Sequence, residues 1–225
     1  LQLRRRVERS LTGKELLEEH AIDGKTAIAA YQANPPSEDA ASAYVLDAAA
    51  VRAYPDGSTV DRIHVVQKAI GQSGVSEVAE VHLPSQAYVL TLRTIKADGT
   101  VLEPEDIEGK ESVSLPGVQV GDYVEYEFLQ ANAARGPAQP GFTSSSFYFQ
   151  IARQPNHWST YKVIAPKSLG LEVDAHNVEA PKPQRVGDDG LRQQASGTGP
   201  FMVTEFRPNE IVRMKKNPNY WQKGL

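Results

Sequence analysis

Apolar positions change their period along the chain. Over the first 35 residues they recur at helical spacing. Thr12-Gly13-Lys14-Glu15 has the form of a capping box and is followed by Leu16 and Leu17, which predicts a short helix over about residues 13–20. Asp23 is a second N-cap candidate, with Ala27, Ile28 and Tyr31 at helical spacing behind it. Asn34-Pro35-Pro36 stops that helix, because proline cannot continue it and the residue before proline avoids the α region. The pattern reads as two short helices, or as the tail of a helical array.

From Ala43 onward the period falls towards two. Tyr44–Leu46 and Ala50–Tyr54 read as extended chain, and Asp56-Gly57 is the residue pair that a tight hairpin turn prefers. Thr59–Lys68 is the return strand. Val75–Leu83 and Tyr88–Lys96 follow, and Asp98-Gly99 is a second hairpin signal. Tyr123–Leu129 alternates aromatic or aliphatic residues with acidic ones. Phe142–Arg153, Trp158–Ala165 and Leu169–Ala175 complete the run. About nine strand candidates at short spacing predict a mainly β fold, an antiparallel β-sandwich or roll with a short helical N-terminus. No helix-length pattern interrupts them, which disfavours a parallel α/β sheet. Residues 179–198 are rich in Pro and Gly and read as a linker. Phe201–Phe206 and Ile211–Lys216, with Arg207-Pro208-Asn209-Glu210 between them, read as a C-terminal β-hairpin. The expected organisation is a helical segment over 1–36, a sandwich-like domain over 43–178, the linker, and a hairpin segment over 199–225.

Composition narrows the chemistry. The 225 residues suit one large all-β domain or two small ones. They include no cysteine, which excludes disulfides, thiolate metal sites and a thiol nucleophile. A net charge of -4 argues against a nucleic-acid partner, which requires a concentrated basic face. No apolar run approaches the roughly 20 residues of a membrane-spanning helix. Leu1–Arg9 carries four arginines with no apolar stretch behind them, so it is not read as a signal peptide. A first residue other than Met is expected of a mature product or a fragment.

Catalytic patterns are missing as well. His20, His64, His82, His157 and His176 form no HxH, HxxxH or HExxH spacing, so they are read as surface or structural residues, and no metal or other cofactor is expected. Asp56 and Asp98 are explained by their turns. Asp61, Glu77 and Glu80 could pair as acid and base, but alternation alone places such residues on a wet sheet face. Gly197-Thr198-Gly199 lacks the lysine and the following helix of a phosphate loop. Ser144–Ser146 make no nucleophile elbow. Phe142, Phe147, Phe149, Trp158 and Tyr161 read as core and sheet-face packing. Tyr220 and Trp221 close a polar, lysine-bearing end and are the candidate ligand-binding residues, against the simpler role of pinning the hairpin to the sandwich.

Two family resemblances follow from quoted residues. Val51–Thr59, Gly74–Val81, Thr94–Val101 and Leu115–Tyr126, within about residues 44–176, resemble a bacterial domain family of unknown function found N-terminal to transglutaminase-like domains. That resemblance implies a β-sandwich-like accessory domain without the partner enzyme's cysteine nucleophile. Gly197–Phe201 through Asn217–Trp221, within residues 195–225, resembles a segment of the extracellular solute-binding proteins of oligopeptide-type ABC transporters. Together the two imply a composite chain with a junction near Leu191–Ala195. The expected function is a non-catalytic accessory or interaction domain of a bacterial cell-envelope protein, in the periplasm or cell envelope, binding a peptide or a neighbouring domain. The alternatives are a fragment of a peptide-binding solute receptor and the non-catalytic part of a transglutaminase-like hydrolase.

Overall fold

Asp56-Gly57 makes the turn that organises the molecule. Gly57 has φ +82°, and Asp56 accepts from the Ser58 amide at 2.9 Å, so the chain reverses within a few residues. The reversal pairs β1 (Ser42–Ala53) with β2 (Thr59–Ala69) in antiparallel register. The computed structural model describes residues 1–36, 40–105, 107, 109–136, 141–144, 146–150 and 154–171 with their side chains, and the backbone of residues 183–186, 190–193, 201–207 and 211–216. The fold is mainly β, with helices at its N-terminal end.

Around the β1–β2 hairpin the chain adds β3 (Glu80–His82), β4 (Tyr88–Ile95), β5 (Val101–Leu102), β6 (Ser112–Ser114), β7 (Tyr123–Asn132) and β8 (Ser159–Ala165). Further on come β9 (Pro183–Val186), β10 (Gly190–Gln193), β11 (Phe201–Arg207) and β12 (Ile211–Lys216). One eight-stranded sheet has the order β5-β4-β7-β2-β1-β8-β10-β9. Its pairs are antiparallel except β1 with β8, which run parallel. β3 with β6 and β11 with β12 form separate two-stranded ribbons, the latter being the expected C-terminal hairpin.

The N-terminal helices are placed differently from the expectation. α1 spans Gln2–Thr12 and stops where a helix was expected to begin. Gly13 adopts φ +72°, the left-handed C-cap conformation, and Thr12 bonds back to the Glu8 carbonyl. Thr12-Gly13 is therefore a stop signal, and only a 3₁₀ turn, Glu18–His20, follows it. α2 (Gly24–Ala33) begins as expected, with the Asp23 carboxylate accepting from the Thr26 amide at 3.0 Å. The strand expected over Val75–Leu83 is instead α3 (Gln72–Val78) followed by β3. Gly74 and Val78, four residues apart, form the buried side of that helix.

Both sheet faces are covered. Val124, Phe128 and Leu92 pack under Val78, Val81 and Val113 from α3 and the β3–β6 ribbon. On the opposite face, Tyr123, Val66 and Leu46 pack against Ala27 and Tyr31 of α2, and Leu129 and Val60 pack against Leu16 and Leu17. Leu17 is fully buried and holds φ +59°, a left-handed conformation that costs a leucine about 1–2 kcal/mol. Burying its side chain contributes about 1.5–3 kcal/mol and offsets that cost.

Candidate functional site

Strand alternation brings five ionisable residues together in the middle of the face that residues 1–36 cover. On β7, Tyr123, Glu125, Glu127 and Leu129 share this face, opposite Lys68, Val66, His64 and Arg62 of β2. Arg62 Nε donates to Glu127 Oε1 at 2.7 Å, and its Nη1 donates to the Leu16 carbonyl at 3.1 Å. His64 Nε2 and Glu125 Oε1 are 2.9 Å apart, and Arg93 Nε of β4 donates to Glu125 Oε2 at 2.7 Å. Burial by itself would push the Glu125 carboxyl up, but the hydrogen bonds from His64 and Arg93 hold it below its ordinary value. Gly24 closes over this pair: a Cβ there would fall inside the Glu125 carboxylate, so the start of α2 can approach only because residue 24 has no side chain.

Beside this network lies a crevice between His20–Ile22 and the strands β1, β2 and β8, with His64, Thr160 and Lys162 in its wall. Its enclosed space suits about one water molecule. Among the described residues, His64 Nδ1 and Thr160 Oγ1 are buried there with no hydrogen-bond partner. The carboxylates in the network are already committed to Arg62, Arg93 and His64. Among the described residues no group of His, Asp and Glu is arranged to hold a metal ion.

The other face carries a looser polar set. Asp61 Oδ1 accepts from Thr59 Oγ1 at 2.9 Å, and its Oδ2 accepts from Asn132 Nδ2 at 3.1 Å and Ser144 Oγ at 3.2 Å. Phe147 stacks on Tyr161 at 5.1 Å and meets Phe149 edge-on at 4.9 Å. Asp47 lies beside Ser159 in the parallel register, and burial pushes its carboxyl up to about 6 from an ordinary 3.8.

The folded protein thus holds the Asp47 proton more tightly than the unfolded chain does. Below 3.8 both states are protonated and nothing is lost. Stability falls as pH rises from 3.8 to 6, and above 6 the penalty is complete. Asp47→Asn should therefore stabilise the protein by about 1–2 kcal/mol at pH 7.5 and by almost nothing at pH 3.5. Urea titrations at the two pH values check this, and equal effects at both would contradict it.

Tyr220 and Trp221, the candidate ligand-binding residues, lie outside the described residues, as do Gly197-Thr198-Gly199, His176 and Ser145. Asp56 and Asp98 serve their turns, bonding the amides of Ser58 and Thr100 at 2.9 Å. Asp61, Glu77 and Glu80 are not brought together. Glu77 accepts from Ser42 Oγ, and Glu80 accepts from Ser112 and Ser114. Arg62, Arg93, Glu125 and Glu127 were not singled out by sequence reasoning, and His64, read there as a surface or structural residue, is buried. The signal was there, in Glu125 and Glu127 two apart on one strand and Arg62 and His64 two apart on another. Alternation says that each pair shares a face, but it does not say that the face is covered.

Comparisons with known proteins come from different directions. Residues 118–225 match the family model for bacterial extracellular solute-binding proteins, family 5 Middle. The match starts just before β7 and takes in β7, β8 and the C-terminal hairpin, so it reaches well upstream of residues 195–225 and into the sheet. No curated protein matches the sequence. Among solved structures, a candidate protease from Parabacteroides distasonis is similar with a TM-score of 0.48 at 12% identity, over 68% of this chain and 35% of that one. An M1 zinc metallopeptidase from Deinococcus radiodurans, an E323A mutant bound to a Tyr-Ser-Ala substrate, is similar with a TM-score of 0.32 at 12% identity, over 68% of this chain and 38% of that one. The chain spans little more than a third of the length of these solved structures.

Proposed function

We propose that this chain is a non-catalytic interaction module of a bacterial cell-envelope protein, which receives an extended peptide or a strand of a neighbouring domain along β4. The observation that carries this reading is the open edge of β4. Among the described residues, only Thr94 and Ile95 of Tyr88–Ile95 pair with β5, while Tyr88, Val89, Thr91, Leu92 and Arg93 pair with β7 alone, around a bulge at Leu90. An edge of this kind offers backbone N–H and C=O groups at strand spacing, the chemistry of strand addition. Half-buried Tyr88, Val89 and Leu90 would supply side-chain contacts along it. In this reading the buried charges under residues 1–36 are structural, because they are paired with one another. The cell-envelope setting is supported by the extracellular family matched over residues 118–225. The neighbouring domain would be of the transglutaminase-like kind that the resemblance over residues 44–176 implies.

The test is hydrogen exchange on the 225-residue chain with and without a short valine- and threonine-rich peptide. Alternate amides of Tyr88–Arg93 should become protected when the peptide is bound. Binding that leaves those amides unchanged would sink the edge reading.

A second reading, a segment of a peptide-binding solute receptor, is favoured by the same family match. It predicts that di- to pentapeptides at micromolar concentration raise Tm without protecting β4.

A further inference from the structure

α1 reverses the usual arrangement of a surface helix, which turns its apolar stripe towards the core. Its inward side is held by charged groups. Arg4 Nη2 donates to Ser58 Oγ at 2.7 Å and lies 3.6 Å from Asp56. Arg5 is buried and donates to Glu15 through Nε at 3.1 Å, and Glu8 meets Arg52 at 3.4 Å. The Arg4 and Arg5 guanidinium groups also lie over the rings of Tyr54 and Tyr88, at 3.9 and 3.3 Å. The outward side carries Leu3, Val7 and Leu11, which are 75%, 49% and 78% exposed. Their spacing of four residues places them in one row about 12 Å long.

This row is concentrated rather than scattered. Among the described residues, three of the six large apolar side chains with high exposure belong to it. Single exposed apolar residues need no explanation, but a contiguous set marks a contact surface.

Charge decides what fits the row. Arg6 lies beside it, is exposed, and forms no ion pair among the described residues, whereas Arg9 is on the far side of the helix near Glu15. A second copy packed antiparallel about Val7 would bring Arg6 against its own symmetry mate, which repels. An anionic membrane would have to attract a chain whose net charge is -4. A partner helix with carboxylates beside its apolar row meets neither objection and satisfies Arg6.

We propose that the outward face of α1 docks an amphipathic helix of a partner protein, one with leucine-sized side chains at i, i+4 spacing and Asp or Glu on the flank that faces Arg6. This surface is separate from β4 and depends neither on strand addition nor on the C-terminal family match.

The experiment uses the 225-residue chain and two synthetic three-heptad helical peptides with the same leucine row, one flanked by Glu and the other by Lys. Calorimetry should show the Glu peptide binding at least about tenfold tighter than the Lys peptide. Val7→Asp should weaken the Glu peptide by about tenfold or more with Tm unchanged, since Val7 is half exposed. Should Val7→Asp disturb folding, Leu11→Asp takes its place. Arg6→Glu should reverse the preference between the peptides. Equal affinity for the two peptides, binding to neither, or unaltered binding by the aspartate variants would overturn the proposal. Dimerisation in sedimentation, or flotation with phosphatidylserine vesicles, that the aspartate variants abolish would assign the row to another occupant and equally overturn it.

Discussion

Glu125→Ala should lower the unfolding free energy by about 3–5 kcal/mol, the largest loss expected from any single change to the buried charge network. The Glu125 side chain is 3% exposed and is the shared acceptor for His64 and Arg93. Deleting it leaves Arg93 without its carboxylate and His64 with only Glu127, whose Oε1 lies 4.0 Å from Nδ1. The cost is that of unpaired buried polar groups, which exceeds the net worth of the pairs themselves. The effect should also depend on pH. The folded-state pKa of Glu125 lies below its ordinary 4.5, so its contribution is complete above 4.5 and disappears as pH falls through the folded value. Glu125→Gln keeps the shape and removes the titration. It should cost less and flatten stability against pH in the acid range. Urea unfolding from pH 3 to pH 8 checks both variants, and a loss below 1 kcal/mol for Glu125→Ala would show that the network is not structural.

Gly74→Ala should destabilise by about 2–3 kcal/mol, the reverse of what helix propensity predicts. In an exposed helix the change would gain about 1 kcal/mol. Gly74, however, is on the buried side of α3, where a Cβ would overlap the carbonyl oxygen of Ala41. That oxygen cannot retreat freely, because it accepts from the amides of Ile70 and Gly71 at 2.8 and 2.9 Å. The obstacle is backbone rather than a flexible side chain, so the strain spreads into β1. Thermal or urea unfolding of Gly74→Ala gives the sign directly, and a neutral or stabilised variant would contradict the close approach.

Much of the sheet was legible in the pattern of the chain. Asp56-Gly57 and Asp98-Gly99 mark real turns, and Tyr123–Leu129 lies within β7. Asp23 caps α2 as its chemistry suggests. What escaped was whatever depends on neighbours distant in sequence. Val75–Leu83 has strand-like composition, yet Gly74 fits a tight helical contact against Ala41 and Val78 packs into the core beside Val81 and Val124. Thr12-Gly13-Lys14-Glu15 satisfies a capping pattern, yet Glu15 is drawn to Arg5 and Gly13 terminates α1. The candidate site was the least legible part. Glu125 and Glu127 look like the wet side of an amphipathic strand until residues 1–36 are folded over them.

The parallel pairing of β1 with β8 has a kinetic consequence. β1 meets β2 across a tight turn, so that hairpin can form early and locally. The strand that closes its other side joins Asp47 to Ser159, more than a hundred residues downstream. Loop-closure entropy and high contact order place that step late in folding. Until β8 arrives, Asp47–Arg52 is a bare edge of mostly alanine and valine, and a chain emerging during synthesis presents it for as long as residues 159–165 are still to be made. Aggregation during production should therefore follow conditions that delay the docking of β8, even where the finished fold is stable.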